Sequence, residues 1–309
     1  MSSSLPASVV RVAVVLCAHN GARFIEEQLN SLETQTRPVD EIIVYDWAST
    51  DATADIVERW RNTTRDRAVM TSLRRMKSAP GPARSFLHAL GDVSHRKDLD
   101  LIFLCDQDDI WMSHKVATFL DLFATEGFDL AFSDAMVLQE DGSTLATFYG
   151  TGSPYRRPSG RTDESVLLTN PAVGMTMCIR REWLARVAEC LNLYWIMHDW
   201  ALMQLCWLTN GRLRFVDVPL VLYRQHDRNA LGAAVSRSVM SRARKVGAHV
   251  RSIREQLISI GVASEALGDA VAMRVPRLHG RVEQARVVWH STLLTAKYRL
   301  LLSAALLLH

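Results

Sequence analysis

The sequence predicts an α/β fold: a Rossmann-like, mostly parallel, doubly wound sheet followed by a helical C-terminal extension. Three observations carry this. The runs Val9 to Cys17, Glu41 to Tyr45 and Leu101 to Cys105 are short and largely apolar, as strands buried on both faces are. Helical stretches alternate with them, as a parallel sheet requires. Beyond residue 233 strand signals vanish and helical spacing continues to the end of the chain.

Each element follows from local chemistry. After the first strand, Ala18-His19-Asn20-Gly21 turns the chain, and Phe24, Ile25, Gln28, Leu29 and Leu32 share one helical face. The second strand ends in Asp46. Ser49-Thr50-Asp51 then offers helix-capping oxygens to a helix over Ala52 to Arg61. A weaker strand is expected near Ala68 to Leu73, a turn at Pro80-Gly81-Pro82, and a helix over Ala83 to Leu90. The fourth strand, Leu101 to Cys105, runs straight into Asp106-Gln107-Asp108-Asp109. Lys115 to Phe123 reads as helix, and Asp129 to Ser133 and Ala135 to Gln139 as two short strands. Glu140 to Ser143 is a turn, and the Gly-, Pro- and Ser-rich stretch Thr147 to Arg161 a loop. Val173 to Ile179 is expected as strand, Arg181 to Leu191 and Asp199 to Leu208 as helices. Arg212 to Tyr223 reads as a strand pair broken by Pro219.

Composition excludes several classes. The five cysteines, Cys17, Cys105, Cys178, Cys190 and Cys206, are scattered through apolar segments without a C-x-x-C pair. Reduced, buried thiols in a cytoplasmic protein are expected rather than zinc or disulfides. Met1 to Ser8 lacks the basic and apolar regions of a signal peptide, and no run reaches the roughly 18 apolar residues of a membrane span. From Ser236 onward, twelve Lys/Arg face four Asp/Glu, so an acidic body carries a basic tail. Arg242, Lys245, His249 and Arg251 lie among Val239, Val246, Val250, Ile253 and Leu257. Such a tail packs on the body, pairs with another subunit, or rests on an anionic membrane surface at the inner face of the cell. It lacks the aromatic interleaving of a nucleic-acid binder.

The acidic mouth of the fourth strand is the chief functional candidate. Ligands bind at the carboxyl ends of strands in such sheets. Three carboxylates in four positions repel one another unless a cation lies between them, and hard oxygen donors suit Mg²⁺ or Mn²⁺. The bland reading is an acidic turn capping the next helix. Asp46 reaches the same edge, where it can accept from a nucleobase N–H or a ribose hydroxyl, or simply lead a helix. Asp199, after the aromatic stretch Tyr194-Trp195, is either a general base or an N-cap. Arg224 suits phosphate, and His226 a metal or a phosphate oxygen, unless both merely end a strand. The phosphate signatures G-x-G-x-x-G and G-x-x-x-x-G-K-[ST] are missing, as are H-E-x-x-H and G-x-S-x-G.

Taken in order, these segments resemble glycosyltransferase family 2, of GT-A fold, and especially its rhamnosyltransferase-like members. Val14 to Gly21 looks like the family's opening strand and turn. EIIVYDWASTDAT (Glu41 to Thr53) is similar to its strand ending in D-D-G-S-T-D-G-T, and GPARSFLHAL (Gly81 to Leu90) to the segment before the metal strand. DQDDIW (Asp106 to Trp111), Asn170 to Gly174, His198-Asp199-Trp200 and YRQHDRNALG (Tyr223 to Gly232) complete the order. The resemblance covers residues 9 to 232. It implies a nucleotide-sugar-binding and catalytic domain over 1–232, with 233–309 as a basic helical extension.

The implied reaction is an inverting, metal-dependent transfer of one sugar, rhamnose being one candidate. The sugar would pass from a nucleotide diphosphate to a hydroxyl of a polysaccharide or lipid-linked acceptor. Asp108 would be the main metal ligand with Asp106 or Asp109, and His226 a further ligand. Asn20, Asp46, Arg84, Asp106 and Arg224 would hold the nucleotide, and Asp199 would take the acceptor proton. Trp111, His198 and Trp200 are assigned to donor and acceptor pockets, the two tryptophans alternatively to the core. The chain departs from the pattern at Trp47, where the family has a second acid, at Ala48, where it has glycine, and at Ser85, where Asn is common. Tandem membrane helices and Q-x-x-R-W of processive synthases are missing, which argues for single-sugar transfer. The alternative is a non-catalytic nucleotide-sugar-binding or scaffold protein of the same fold. A nucleotidyltransferase is disfavoured by a first loop without a Gly-rich, basic phosphate cradle.

Overall fold

A computed structural model of the chain describes residues 10–63, 69–139, 141–150, 153–158, 163–226, 239–268 and 280–308. The segment before Val10, the 227–232 end of the last motif, and the Arg242, Lys245 and His249 side chains lie outside the described residues. So do Ala68, Glu140 and Arg161.

Strands β1 (Val12–Ala18), β2 (Glu41–Trp47), β3 (Met70–Met76) and β4 (Leu101–Asp106) form a parallel sheet in the order β3-β2-β1-β4. Helices α1 (Ile25–Glu33), α2 (Thr53–Thr63) and α3 (Pro82–Ser94) make the crossovers. Side-chain alternation divides the core into two layers. Val12, Val14 and Leu16 face a cluster with Ile25, Val57 and Phe119, whereas Val15 and Cys17 face one with Phe86, Leu90 and Trp200. The doubly wound expectation is met. All five cysteines are buried and free.

The second half of the sheet departs from pure parallel pairing. The edge continues from β4 as β8-β6-β9-β5, comprising β8 (Met177–Arg180), β6 (Leu130–Leu138), β9 (Leu213–Arg224) and β5 (Ile110–Trp111). β8 is antiparallel to both β4 and β6, while β6 and β9 run parallel. A short β7 (Thr144–Thr147) extends β6 as a hairpin. Two expectations are corrected here. The two short strands around Ser133 are one strand, and Pro219 does not break β9. The β6–β9 register shifts between Ser133 and Asp134, from Val216 to Pro219, so a bulge at Asp217 and Val218 lets the strand continue through the residue that lacks an N–H. Residues 174–176 form a 3₁₀ turn before β8, and the 181–191 helix is shorter than expected: α5 (Arg181–Arg186) is followed by a 3₁₀ turn.

Helices α4 (Lys115–Thr125) and α6 (His198–Leu208) complete the body. The described C-terminal helices are α7 (Val239–Ala266), α8 (Arg281–Trp289) and α9 (Ala296–Leu308). None of the described helices is long and apolar enough to cross a membrane. Val250, Ile253, Val288, Leu294 and Leu302 enter the same core layer as Trp200. Polar ties fix the seam. Buried Gln256 of α7 accepts from the Ile196 N–H (3.1 Å) and donates to Gln204 Oε1 (2.8 Å), while Gln204 donates to the Leu167 carbonyl (3.0 Å). Replacing Gln256 with Ala would leave two buried polar groups unpaired, at a cost of about 1–3 kcal/mol. Urea denaturation should show a lower midpoint in one cooperative transition; an unchanged midpoint would contradict this account of the seam.

Candidate active site

The parallel register brings the acidic strand ends level: Ala18 pairs with Asp46 across β1–β2, and Cys17 with Asp106 across β1–β4. The crevice between β1 and β4 is where strand order reverses, the usual ligand position in such sheets. His19 and Gln107 span it. The His19 N–H donates to Gln107 Oε1 (2.8 Å), and Gln107 Nε2 donates to the His19 carbonyl (3.1 Å). A Cβ at residue 21 would lie 2.2 Å from Gln107 Oε1, so the glycine after Asn20 lets the two strand ends meet.

On the β2 side, Asp46 is buried and its Oδ1 accepts the Ser49 N–H (3.2 Å). Asn20, itself at φ 51°, accepts the Thr50 N–H at Oδ1 (2.8 Å), which ties the β1 and β2 turns together. The expected helix cap is Asp51, whose Oδ1 accepts the Thr53 N–H (3.0 Å) and whose Oδ2 accepts the Ala22 N–H (3.1 Å). Trp47 is buried edge-on to His88 (5.4 Å). Its carbonyl bonds His19 Nδ1 (2.7 Å). Ala48 sits at φ 53°, a left-handed conformation that glycine takes without penalty.

The carboxylates of the β4–β5 loop have distinct surroundings. Asp106, at the strand end, has its pKa pushed up to about 8 by burial first, then by the charges of Asp108 and Asp199. Asp109 is 1% exposed; its Oδ1 accepts the Arg224 N–H (3.0 Å), and its Oδ2 has no partner among the described residues. Burial, then Asp108 and Asp106, raise its pKa as well. Asp108 bonds His226 Nε2 through Oδ2 (2.9 Å), and its carbonyl accepts from Arg224 Nε (2.9 Å). Arg224 also reaches Glu27 (2.5 Å). Phe24 underlies both side chains, 4.8 Å from the Arg224 guanidinium and 5.0 Å from the His226 ring. The end of β9 is thereby clasped onto the acidic loop.

Lys115 closes the site from beneath. It is fully buried, donates to the Met175 carbonyl (2.6 Å) and lies 3.5 Å from the Trp111 ring centroid. Burial pushes its pKa down to about 7, against the raising effect of nearby thiols and of Asp109 and Asp106. A lone lysine at a helix start gave no sign of this in the sequence.

Asp199 opens α6, buried, with Oδ1 accepting the Trp200 N–H (2.7 Å) and Asn170 Nδ2 (3.0 Å). Its charge bears on Asp106, so the two ends of the site are electrostatically joined. His198 stacks on Phe86 (4.3 Å) with Nε2 unpartnered among the described residues. Burial lowers its pKa against the pull of Asp199, which favours a neutral imidazole beside that carboxylate. A Cβ at residue 174 would lie 2.2 Å from His198 Nε2, so Gly174 makes room for this ring.

The structure thus gathers Asp106, Asp108, Asp109, Asp199, Arg224 and His226, with Asp46 and Asn20 on the neighbouring strand ends. Arg84 is exposed on the first turn of α3. Two other expected pocket residues are buried. Trp111 and Trp200 are 3% and 1% exposed, and Trp200 donates to the Val166 carbonyl (2.7 Å), so both are core side chains. Residues missed by the sequence reading are Gln107, Lys115, Glu27 and Phe24. A cavity of about 240 Å³ among Asp129, Arg180, Glu182, Trp183, Arg186 and Arg212 lies at the opposite strand ends, where its charges are paired with one another.

Comparison with known proteins decides the family. Residues 13–187 match the pattern of the family described as Glycosyl transferase family 2. The chain belongs to that family. It is a glycosyltransferase that uses a nucleotide-sugar donor. It is 26% identical over 235 residues to a dTDP-rhamnosyl transferase, RfbG, of Shigella flexneri, covering 72% of this chain and 75% of that protein. Among solved structures it resembles residues 1–349 of S. aureus TarS in complex with UDP-GlcNAc. There the TM-score is 0.55 at 16% identity, over 96% of this chain and 87% of that one. It also resembles the mannosyltransferase PcManGT of Pyrobaculum calidifontis in complex with GDP-Man and Mn²⁺, with TM-score 0.53 at 18% identity over 97% and 86% of the two chains. At such identities the likeness speaks for the GT-A fold alone.

The left-handed Ala48 gives a test of the turn that carries Trp47. A non-glycine residue there costs about 1–2 kcal/mol, partly offset in glycine by chain entropy. Ala48→Gly should therefore stabilise the family member by about 1 kcal/mol or less in urea melts; destabilisation would contradict the strain argument.

Proposed function

We propose that this glycosyltransferase moves a single sugar, with inversion, from a nucleotide diphosphate to a glycan or lipid-linked acceptor hydroxyl. The sugar is proposed to be rhamnose, a reading supported by the likeness to a dTDP-rhamnosyl transferase. The observation that carries the mechanism is the placement of Asp199. It is a buried carboxylate, anchored through Oδ1 by Asn170 and its own helix, and within electrostatic reach of the acidic loop. On this reading Oδ2 takes the acceptor proton as the hydroxyl attacks the anomeric carbon, and the bond to the leaving phosphate breaks on the opposite face. The neutral His198 leaves the base without a competing cation.

Among the described residues no three His, Cys, Asp or Glu side chains are arranged as a metal cage. The donor set still suits a hard divalent cation. Asp106 and Asp108 are crowded carboxylates at the strand end, and Asp109 holds an unpartnered buried oxygen. Mg²⁺ and Mn²⁺ sites of this kind use one or two carboxylates and complete their shell with phosphate oxygens. Asp108 would hold the cation with Asp106, and His226, bonded to Asp108, would position that carboxylate. The cation supplies charge neutralisation at the leaving diphosphate. Arg224 fixes the loop that presents these oxygens. Asp46 and Asn20 face the nucleoside, and the buried Trp47 stands in place of the family's second acid.

Replacing Asp199 with Asn keeps the shape and removes the base. The variant should lose transfer by at least a hundredfold, within the range attributed to general bases, while nucleotide affinity measured by calorimetry stays within about twofold. Full turnover in that variant would remove Asp199 from its role.

A further inference from the structure

Residues 154–156 and 293–295 form an antiparallel contact between the body and the C-terminal extension. Tyr155 pairs with Leu294, the Arg156 N–H donates to the Leu293 carbonyl (2.8 Å), and the Thr295 N–H donates to the Pro154 carbonyl (2.9 Å). Adjacent ties reinforce it. Ser165 and Ser291 hydroxyls bond each other (2.7 Å), and Asp163 accepts the Thr292 N–H (2.7 Å) and hydroxyl (2.6 Å). Residues 154–156, within the Gly-, Pro- and Ser-rich stretch, are thereby held by backbone bonds to a segment about 140 residues later.

This contact places aromatic side chains beside the proposed base. Tyr155 lies close enough to Asp199, which the Asn170 side chain bonds, to feel that carboxylate's charge. Tyr155 stacks on Phe148 (6.0 Å, 17° between planes) and is tilted against Tyr298 of α9 (6.5 Å, 57°). Phe148, Tyr155 and Tyr298 are all partly exposed, so these rings are not sealed in the core. Burial first, then the neighbouring Tyr298 and Asp199, holds the Tyr155 phenol in its protonated, donor form.

Aromatic faces ending in hydroxyls suit a ligand that is apolar on one face and hydroxylated at its rim. A pyranose ring has that chemistry; an alkyl chain would leave the hydroxyls unpaired. We propose that the contact between residues 154–156 and 293–295 completes an acceptor subsite, with Tyr155 and Tyr298 forming an aromatic wall on which the acceptor's sugar ring stacks beside Asp199. The inference rests on the assignment of Asp199 as base. It makes the C-terminal extension a working part of the site.

The test is saturation-transfer NMR on the full chain with UDP or dTDP and Mn²⁺, using methyl α-L-rhamnopyranoside and methyl N-acetyl-β-D-glucosaminide at millimolar concentration as probes. Ring-proton saturation of at least one probe is expected with the unaltered protein. It should fall at least fivefold in Tyr298→Ala and return in Tyr298→Trp, which restores an aromatic face without the hydroxyl. Tyr155→Ala should behave like Tyr298→Ala. If it does not fold, the α9 pair of variants still decides the matter. No probe signal with the unaltered protein, or equal signals with and without the Tyr298 ring, overturns the proposal. Nucleotide calorimetry on the same samples separates this outcome from failure of the glycosyltransferase reading, in which no nucleotide would bind at all.

Discussion

Like charges confined at the end of a buried strand are the constraint on which the rest of the site depends. β4 is apolar from Leu101 to Cys105 and then delivers Asp106, Asp108 and Asp109 within four residues, with Asp199 close enough to add its charge. Carboxylates in a poorly solvated crevice raise one another's proton affinity, and the raised pKa values of Asp106 and Asp109 are that cost made visible. The surrounding structure is a set of partial remedies. The Arg224 N–H and side chain tie the loop down, His226 binds Asp108, and Lys115 sits in the core below. These leave the loop tied down with carboxyls that hold their protons unusually tightly, and on the proposed reading a divalent cation displaces those protons and draws in the diphosphate.

The fold serves this constraint at several scales. The parallel register of β1, β2 and β4 sets Asp46 and Asp106 at one level, and Gly21 lets Gln107 close the gap between the strand ends. β9 then returns along β6, with a bulge just before Pro219, to bring Arg224 and His226 over the acidic loop from the far side. Phe24, on the turn into α1, supplies the apolar surface on which both side chains rest. The C-terminal helices contribute differently. They share the core layer behind α6 and so brace the helix whose first turn carries Asp199.

Legibility in the sequence followed the range of the interactions. The abrupt change from apolar run to carboxylates at Cys105–Asp106 is local, and so are the cap at Asp51 and the helical spacing of Ile25, Leu29 and Leu32. All of these could be read directly. The bond between Asn170 and Asp199 and the clasp of Arg224 on Asp109 depend on tertiary contact across 29 and 115 residues, and no local pattern announces them. Pro219 misled because a residue that cannot donate to a ladder looks like a strand end until its own strand is known to bulge beside it. Trp111 and Trp200 read equally well as pocket walls or as core, and only burial settled which. Lys115 was silent because a lysine at a helix start is ordinarily solvated, whereas here the chain folds over it.

The central claim is that the acidic end of β4 is a cation-assisted diphosphate site. Calorimetric titration of UDP and dTDP, with Mn²⁺ and with chelator, tests it most directly in the unaltered protein and in Asp108→Ala. The account predicts binding of at least one nucleotide that depends on Mn²⁺ and weakens at least tenfold, about 1.4 kcal/mol, in the variant. Nucleotide binding that is indifferent to both Mn²⁺ and Asp108, or no binding at millimolar nucleotide, would contradict it.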